Sequence, residues 1–153
     1  LKESGIKSAI IDAGGDVYCL GAKVNGHSWQ VGIQHPRDKN KLVSRIGLKD
    51  KGITTSGDYE RYFMIKDKRY SHIVNPKTGY PVEEVPMSVT VIAGDCISAD
   101  ALATAVFVLG PVEGIKLLSS LKDASGIIIS KGKENDFAVD LTEDLKGKLK
   151  FKF

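Results

Sequence analysis

The chain has 153 residues, 42% hydrophobic and 27% charged, which is typical of a single globular domain with a hydrophobic core. Its 22 basic and 19 acidic residues give a formal net charge of +3, and aromatic side chains do not interleave with the basic ones, so the composition argues against a nucleic-acid partner. No run of about 18 apolar residues predicts a segment that crosses a membrane.

The first two thirds of the sequence predict short β-strands. Apolar residues at 9–11 and 17–20 flank Gly14 and Gly15, which predicts two strands joined by a tight turn. The segment WQVGIQH alternates apolar with polar residues, as a strand with one buried face does. Further strands are predicted in LVSRIGLKDKGITTSGDYERYFMI, KRYSHIV and MSVTVIA, and NPKTGYPVEEVP is predicted to be a loop.

The last third predicts two helices followed by strands. CISADALATAVFVLG is apolar nearly all round and predicts a buried helix that ends at Gly110, and PVEGIKLLSSL predicts a second, amphipathic helix that begins at Pro111. SGIIIS and FAVDL return to strand, and the C-terminal KGKLKFKF predicts an edge strand. This order predicts an α+β fold, a mostly antiparallel sheet with two adjacent helices packed on it.

Asp100 and Thr104 are the strongest oxygen ligands on the first predicted helix. They lie four residues apart and therefore on the same helix face, a spacing that suits a pair holding one hard cation such as Mg²⁺. The alternative is structural: Asp100 complements the helix dipole and Thr104 bonds back to a carbonyl of its own helix. Spacing alone leaves both interpretations open.

Two glycine-containing segments are candidates for ligand contacts. Gly14 and Gly15 bring bare backbone amides together, as a phosphate site requires, but a Gly-Gly pair between strands is also an ordinary tight turn. Ser56 and Asp58 flank Gly57 at the end of a predicted strand, where they favour either polar contacts to a ligand or a self-bonded turn.

His72 is the candidate acid or base. A histidine can exchange a proton near neutral pH, and the following NPKTGYP stiffens its loop. The alternative is a structural histidine at the end of a strand, and His27 and His35 are interpreted as surface histidines. Cys19 and Cys96 have no ligand or CxxC spacing, so we expect two buried thiols.

Taken together, these motifs resemble those of the ApbE family, the FAD:protein FMN transferases or flavin transferases. IDAGGDVYCLG, WQVGIQHP, TSGDYERYF, YSHIVNPKTGYPV, SVTVIA and SADALATAVFVLG follow one another in the family's order, and HIxxPxTGxP and ADAxxTA are its specific motifs. The resemblance runs from about Ile10 to Gly110 and covers the later part of such proteins. Residues 1–153 are therefore expected to form a single flavin-transferase-like domain, the C-terminal portion of a longer protein.

The resemblance implies a reaction and roles for particular residues. Members of the family bind FAD with Mg²⁺, transfer its FMN moiety to a threonine or serine hydroxyl of a partner flavoprotein, and release AMP. Asp100 and Thr104 match the magnesium ligands, and His72 matches the proposed general base. The positions that match cofactor contacts are Gly14, Gly15, Ser56, Gly57, Asp58, His72, Ile73 and Thr78.

The family's earlier motifs, which supply a flavin-stacking aromatic residue and a metal-binding carbonyl, have no counterpart in this sequence. The alternative function is therefore an FAD- or nucleotide-binding module without transfer activity, and the isolated chain is expected to bind FAD poorly and to transfer FMN slowly or not at all. Because family members are usually exported and lipid-anchored, the resemblance also implies a cell-envelope location, with membrane contact only through an anchor outside this chain.

Overall fold

The computed structural model describes residues 1–82, 86–133 and 136–153. Within these residues the chain forms ten β-strands and one long α-helix, with a 3-10 helix near the end. Their bounds are β1 Ala9–Ala13, β2 Asp16–Leu20, β3 Trp29–His35, β4 Asp38–Leu48, β5 Lys51–Gly57, β6 Tyr62–Ile65, β7 Lys68–Ser71, β8 Ser88–Ala93, α1 Cys96–Ser120, β9 Ala124–Lys131, β10 Phe137–Leu141 and the 3-10 helix Glu143–Leu145.

Six strands form one central sheet in the order β1-β2-β5-β8-β9-β10. Every neighbouring pair in this sheet is antiparallel. The hairpins β3–β4 and β6–β7 form two further two-stranded sheets. The predicted α+β fold with a mostly antiparallel sheet is therefore confirmed.

The central sheet is covered on both faces. All six residues of β8 are buried, as expected for a strand in the middle of a three-layer arrangement. On one face, α1 packs over a helix-side core of Ile73, Val89, Val91, Ala93, Ala99, Ala103, Val106, Phe107, Leu118 and Ile128. On the other face, β3–β4 and the C-terminal tail cover a hairpin-side core of Cys19, Ile33, Val43, Leu48, Ile53, Ile92, Ile127, Ile129 and Leu145.

The second predicted helix is not confirmed as a separate element. Residues 96–120 form one helix with a kink, at which Gly110 has φ 78° and ψ 177° and Pro111 follows. Asp95 caps the start of this helix, because its Oδ1 accepts a hydrogen bond from the Ser98 amide at 2.7 Å.

By length and composition alone, α1 is also long and apolar enough to cross a membrane, in contrast to the expectation from the sequence. In the structure its inner face packs on the sheet, and Ala99, Ala103, Val106 and Phe107 are fully buried there. The core helix of a soluble protein meets the same two criteria, so they do not by themselves identify a membrane span.

The C-terminal tail is not the predicted edge strand. The Ser44 hydroxyl donates a hydrogen bond to the Lys150 carbonyl at 2.9 Å, and the Lys152 amide donates to the Val43 carbonyl at 2.9 Å. These bonds hold Phe151 against the hairpin-side core. Of the two cysteines, both free, Cys19 is buried as expected and Cys96 is half-buried.

Candidate active site

A gap in the central sheet creates a cleft with a volume of about 1020 Å³. Strand β2 pairs with β5 from Val17↔Ile53 to Cys19↔Lys51. The β1–β2 hairpin ends at its turn, Gly14 and Gly15, so the pairing with β5 does not extend beyond Ile53. Residues 54–57 of β5 are consequently paired with β8 alone among the described strands. An unpaired strand edge offers backbone donors and acceptors to a ligand.

Residues far apart in the sequence meet at this cleft. The predicted site residues that line it are Gly14, Gly15, Ser56, Gly57, His72, Ile73, Asp100 and Thr104. Five further residues, which were not predicted from the sequence, also line it: Asp12, Asp16, Tyr59, Glu60 and Arg61. The DAGGD segment, with a carboxylate on each side of its glycines, was the signal that could have found the first two.

His72 projects an exposed imidazole into the cleft. Its Nδ1 lies 2.9 Å from the Arg61 carbonyl oxygen, which also accepts the His72 backbone amide at 3.0 Å. A carbonyl oxygen can only accept a hydrogen bond, so Nδ1 carries the proton in the neutral ring. Nε2 therefore keeps its lone pair and can take a proton from a ligand.

Asp100 and Thr104 face the cleft from α1, as their spacing predicts. The Thr104 hydroxyl lies 3.2 Å from the Ser56 hydroxyl, which links the helix to the end of β5. Opposite them, burial raises the pKa of the Asp16 carboxyl, and the neighbouring charges of Asp100 and Asp12 raise it further. The cleft therefore concentrates negative charge beside two hydroxyl groups.

This donor set fits a magnesium ion. Its carboxylate and hydroxyl oxygens are the hard donors that Mg²⁺ prefers, and the repulsion at Asp16 is relieved by a cation. In the described ranges no group of three or more His, Cys, Asp and Glu side chains is placed to hold a metal ion. A cation here would therefore take its remaining donors from water and from a ligand, as Mg²⁺ usually does.

Gly14 and Gly15 form a tight turn. Their φ angles of 71° and 103° favour glycine, and the Gly15 amide donates to Asp12 Oδ1 at 2.9 Å. Because that amide is already bonded, a ligand approaching Gly15 would have to compete with Asp12 for it. A Cβ added at Gly14 or Gly15 would have no atom within 4 Å, so the backbone at both positions is open to the cleft.

Asp58 does not line the cleft, in contrast to the prediction. It is 9% exposed, and its two carboxylate oxygens accept hydrogen bonds from Arg37 at 2.6 and 2.7 Å. Arg69 lies 3.5 Å from Oδ1 of the same carboxylate. Asp58 thus anchors the loop at the end of β5 to the β3–β4 hairpin and to β7, and it positions the neighbouring cleft residues.

Thr78 also lies outside the cleft lining. Its amide donates to the Asn75 carbonyl at 3.2 Å, and its hydroxyl accepts a hydrogen bond from the Tyr80 amide at 3.3 Å. Thr78 therefore shapes the turn after His72. Residues 83–85, in the later part of this predicted loop, lie outside the described residues.

The comparisons with known proteins agree on one family. A family model described as the ApbE family matches residues 1–129. A FAD:protein FMN transferase of Klebsiella pneumoniae is 33% identical over 135 residues, which cover 88% of this chain and 41% of the relative. The crystal structure of the ApbE protein from Thermotoga maritima matches with a TM-score of 0.79 and 38% identity, over 91% of this chain and 44% of that chain. The flavin transferase ApbE from Vibrio cholerae matches with a TM-score of 0.78 and 28% identity, over 95% of this chain and 46% of that chain. The chain thus spans less than half the length of each of these proteins.

Proposed function

The chain belongs to the ApbE family, and we propose that its cleft binds FAD and contributes to the transfer of the FMN moiety to a threonine or serine hydroxyl of a partner flavoprotein, with release of AMP. The names of the relatives support flavin transfer as the reaction class. The proposal includes the acceptor hydroxyl, the release of AMP and the dependence on Mg²⁺. It also includes the step of assigning the relatives' activity to this chain.

The proposal depends on how the His72 ring is hydrogen-bonded in the cleft. Its Nδ1 is held by the Arg61 carbonyl at 2.9 Å, which leaves Nε2 free in a cleft that also contains Asp100 and Thr104. A base that is oriented through one ring nitrogen and open at the other suits removal of a proton from a hydroxyl.

In the proposed step, the acceptor oxygen attacks the phosphorus atom on the FMN side of the FAD pyrophosphate. The hydroxyl proton moves to His72 Nε2 as the new oxygen–phosphorus bond forms. The bond between that phosphorus and the bridging oxygen breaks, and AMP leaves with the bridging oxygen. A well-placed base contributes roughly 10²- to 10⁴-fold to the rate of such a transfer.

Asp100 and Thr104 are the residues that would hold Mg²⁺ beside the pyrophosphate. The ion would supply neutralisation of the phosphate charge, which is the main requirement of a phosphoryl transfer. The hydrogen bond between Thr104 and Ser56 fixes the position of the threonine oxygen relative to β5.

The test is the substitution His72→Asn, with FAD, Mg²⁺ and a threonine-containing acceptor peptide. The asparagine amide can still donate to the Arg61 carbonyl, but it has no group equivalent to Nε2. We expect kcat for adduct formation to fall by about 10²- to 10⁴-fold with little change in FAD affinity. The matched control is His27→Asn, because His27 is exposed and lies outside the cleft lining.

The same assay separates a transferase from the alternative function, a binding module without transfer activity. A transferase releases AMP and makes a fluorescent peptide–flavin adduct in equal amounts. Binding of FAD by the protein with neither product would support the module and contradict the proposed transfer. An unchanged rate in the His72→Asn variant would show that another group removes the proton.

A further inference from the structure

The cleft is lined by four carboxylates and a single arginine. The carboxylates are those of Asp12, Asp16, Glu60 and Asp100, and Arg61 is the only lysine or arginine among the described residues of the lining. The guanidinium of an arginine stays protonated in proteins, so Arg61 brings a permanent positive charge to an otherwise acidic cleft. A negatively charged pyrophosphate bound there would be repelled by the carboxylates unless positive groups face it.

The Arg61 guanidinium is available to a ligand. Arg61 is exposed, and within the described part of the chain its side chain forms no hydrogen bond or ion pair. Two other arginines are already engaged, since Arg37 donates to both carboxylate oxygens of Asp58 at 2.6 and 2.7 Å. Arg69 lies 3.5 Å from the same carboxylate. Arg45 is exposed on β4 and does not line the cleft.

Arg61 is also linked to the proposed base through its backbone. Its carbonyl oxygen accepts the His72 amide at 3.0 Å and lies 2.9 Å from His72 Nδ1. The same residue therefore orients the imidazole with its main chain and carries a guanidinium next to it. Because both bonds to His72 use the backbone carbonyl, a substitution of the Arg61 side chain leaves their acceptor in place. The role of the guanidinium can thus be tested separately from the positioning of His72.

A guanidinium beside the base suits a phosphate group. Its planar fork of N–H donors matches two phosphoryl oxygens, which a lysine ammonium cannot do with the same geometry. In the proposed transfer, the phosphorus atom nearest His72 is the one on the FMN side of FAD. Asp100 and Thr104 would hold Mg²⁺ on the α1 side of the pyrophosphate, and Arg61 lies in the connection between β5 and β6. The phosphate charge would therefore be neutralised from two different elements.

We propose that the Arg61 guanidinium binds the phosphate on the FMN side of FAD and stabilises the charge on its oxygens as the bond to the bridging oxygen breaks. This inference rests on the proposed flavin transfer and adds a second group that neutralises the phosphate. The alternative is structural: only the Arg61 carbonyl acts, by orienting His72, and the side chain remains in solvent. Under that alternative the guanidinium can be removed without effect on transfer or binding.

The test measures transfer and ligand binding in Arg61→Ala and Arg61→Lys. We expect Arg61→Ala to lower kcat at least about 10²-fold. It should weaken binding of FMN by about tenfold to 100-fold, and leave binding of AMP and of riboflavin, which has no phosphate, unchanged. Arg61→Lys keeps the charge without the fork, so its effects should be smaller.

Two controls accompany these variants. Guanidinium ion at a non-denaturing concentration should restore part of the rate of Arg61→Ala and leave the wild-type rate unchanged, which a purely structural role would not explain. The matched variant is Arg45→Ala, because Arg45 is an exposed arginine outside the cleft lining. We expect its kcat and its affinity for FMN to equal those of the wild-type protein.

The outcomes separate the phosphate site from the proposed function. Absence of adduct and of AMP with the wild-type protein, together with FMN binding that depends on Arg61, would overturn the transfer and support the phosphate site. Transfer by the wild-type protein with the same kcat and FMN affinity in Arg61→Ala would overturn the phosphate site alone. Equal affinity of the wild-type protein for FMN and riboflavin would also overturn it. An equal loss of riboflavin binding in Arg61→Ala would assign the side chain to the shape of the cleft, and a loss of AMP binding in place of FMN binding would assign it to the nucleotide side. Either result contradicts the inference.

Discussion

At the scale of single residues, Tyr59 shows how tightly the cleft is built. A Cβ at Gly57 would lie 2.7 Å from Cε1 of the Tyr59 ring, so a side chain at position 57 would displace the ring. Burial raises the pKa of Tyr59 to about 12, and the charges of Glu60 and Asp58 add to the effect. The phenol therefore stays neutral in the folded protein well above the pH at which a free tyrosine ionises.

This gives a prediction for stability at high pH. The folded pKa is raised, so the neutral Tyr59 stabilises the fold fully below pH 10, and this contribution is lost as the pH rises toward about 12. The loss is on the order of 2 kcal/mol. We expect Tyr59→Phe to abolish that part of the pH dependence while keeping the ring, as measured by urea unfolding at several pH values between 9 and 12.

The control for this measurement is Tyr80→Phe, because Tyr80 is 74% exposed. The comparison is between the slopes of the free energy of unfolding against pH in the wild-type protein and the two variants. Parallel curves for the wild-type protein and Tyr59→Phe would show that the Tyr59 hydroxyl is not protected by the fold.

Some features of the site could be predicted from the sequence, and others depend on contacts that only the fold creates. The positions of His72, Asp100 and Thr104 at one cleft follow from recognisable motifs and from helix spacing. The true position of Asp58 could not be predicted, because its partner Arg37 comes from the β3–β4 hairpin. In the sequence, the carboxylate of Asp58 beside Gly57 resembles a ligand contact. In the folded chain it is paired with the Arg37 guanidinium instead.

At the scale of elements, the kink in α1 determines how the helix covers the sheet. Gly110 adopts a backbone conformation that is nearly exclusive to glycine, although no atom lies within 4 Å of the position of a Cβ. Beyond the kink, a Cβ at Gly114 would lie 2.5 Å from Val106 Cγ1, so the two halves of the helix are in close contact. Leu118 then packs on Gly126 of β9.

We predict that Gly110→Ala lowers the free energy of unfolding by about 1 to 3 kcal/mol. The cause is backbone strain, since the added methyl group has free space. Alanine normally favours a helix by about 1 kcal/mol over glycine, but that gain is not available at a residue with a non-helical backbone. Urea unfolding of the variant measures the change.

The neighbouring substitution Leu109→Ala is the control, because Leu109 is 49% exposed and has ordinary helical geometry. We expect it to change stability by no more than about 0.5 kcal/mol. A Gly110→Ala variant more stable than the wild-type protein would mean that α1 can become continuous and that the sheet does not require the kink.

Element types followed from the sequence better than element boundaries. The strand pattern and the antiparallel sheet were predictable because alternation and glycine turns are local signals. Gly110 and Pro111 correctly marked a break, because Gly110 has non-helical φ and ψ angles at the kink of α1. The tail with Phe151 alternates like a strand, yet it caps the hairpin-side core through bonds to β4 that only the folded chain reveals.

At the scale of the whole molecule, the cleft joins all three layers. Its lining includes Gln34 from the β3–β4 hairpin, Ser56 from the central sheet and Asp100 from α1. A ligand that fills it would contact each layer at once. Binding to the folded state should therefore stabilise the entire fold, and not one loop alone.

We expect FAD with Mg²⁺ to raise the melting temperature of the protein. At FAD concentrations about 100 times Kd the gain is about 2.7 kcal/mol, or roughly 5 to 10 °C for a chain of this size. EDTA should remove the part of this rise in melting temperature that depends on Mg²⁺. Asp100→Asn should remove the same part of the rise, because Asp100 faces the cleft as a proposed ligand.

Asp140→Asn is the control, since Asp140 is exposed on β10 and away from this cleft. A magnesium-dependent shift that persists in Asp100→Asn would place the ion elsewhere, because a ligand can stabilise the fold only through the contacts it makes with the folded state.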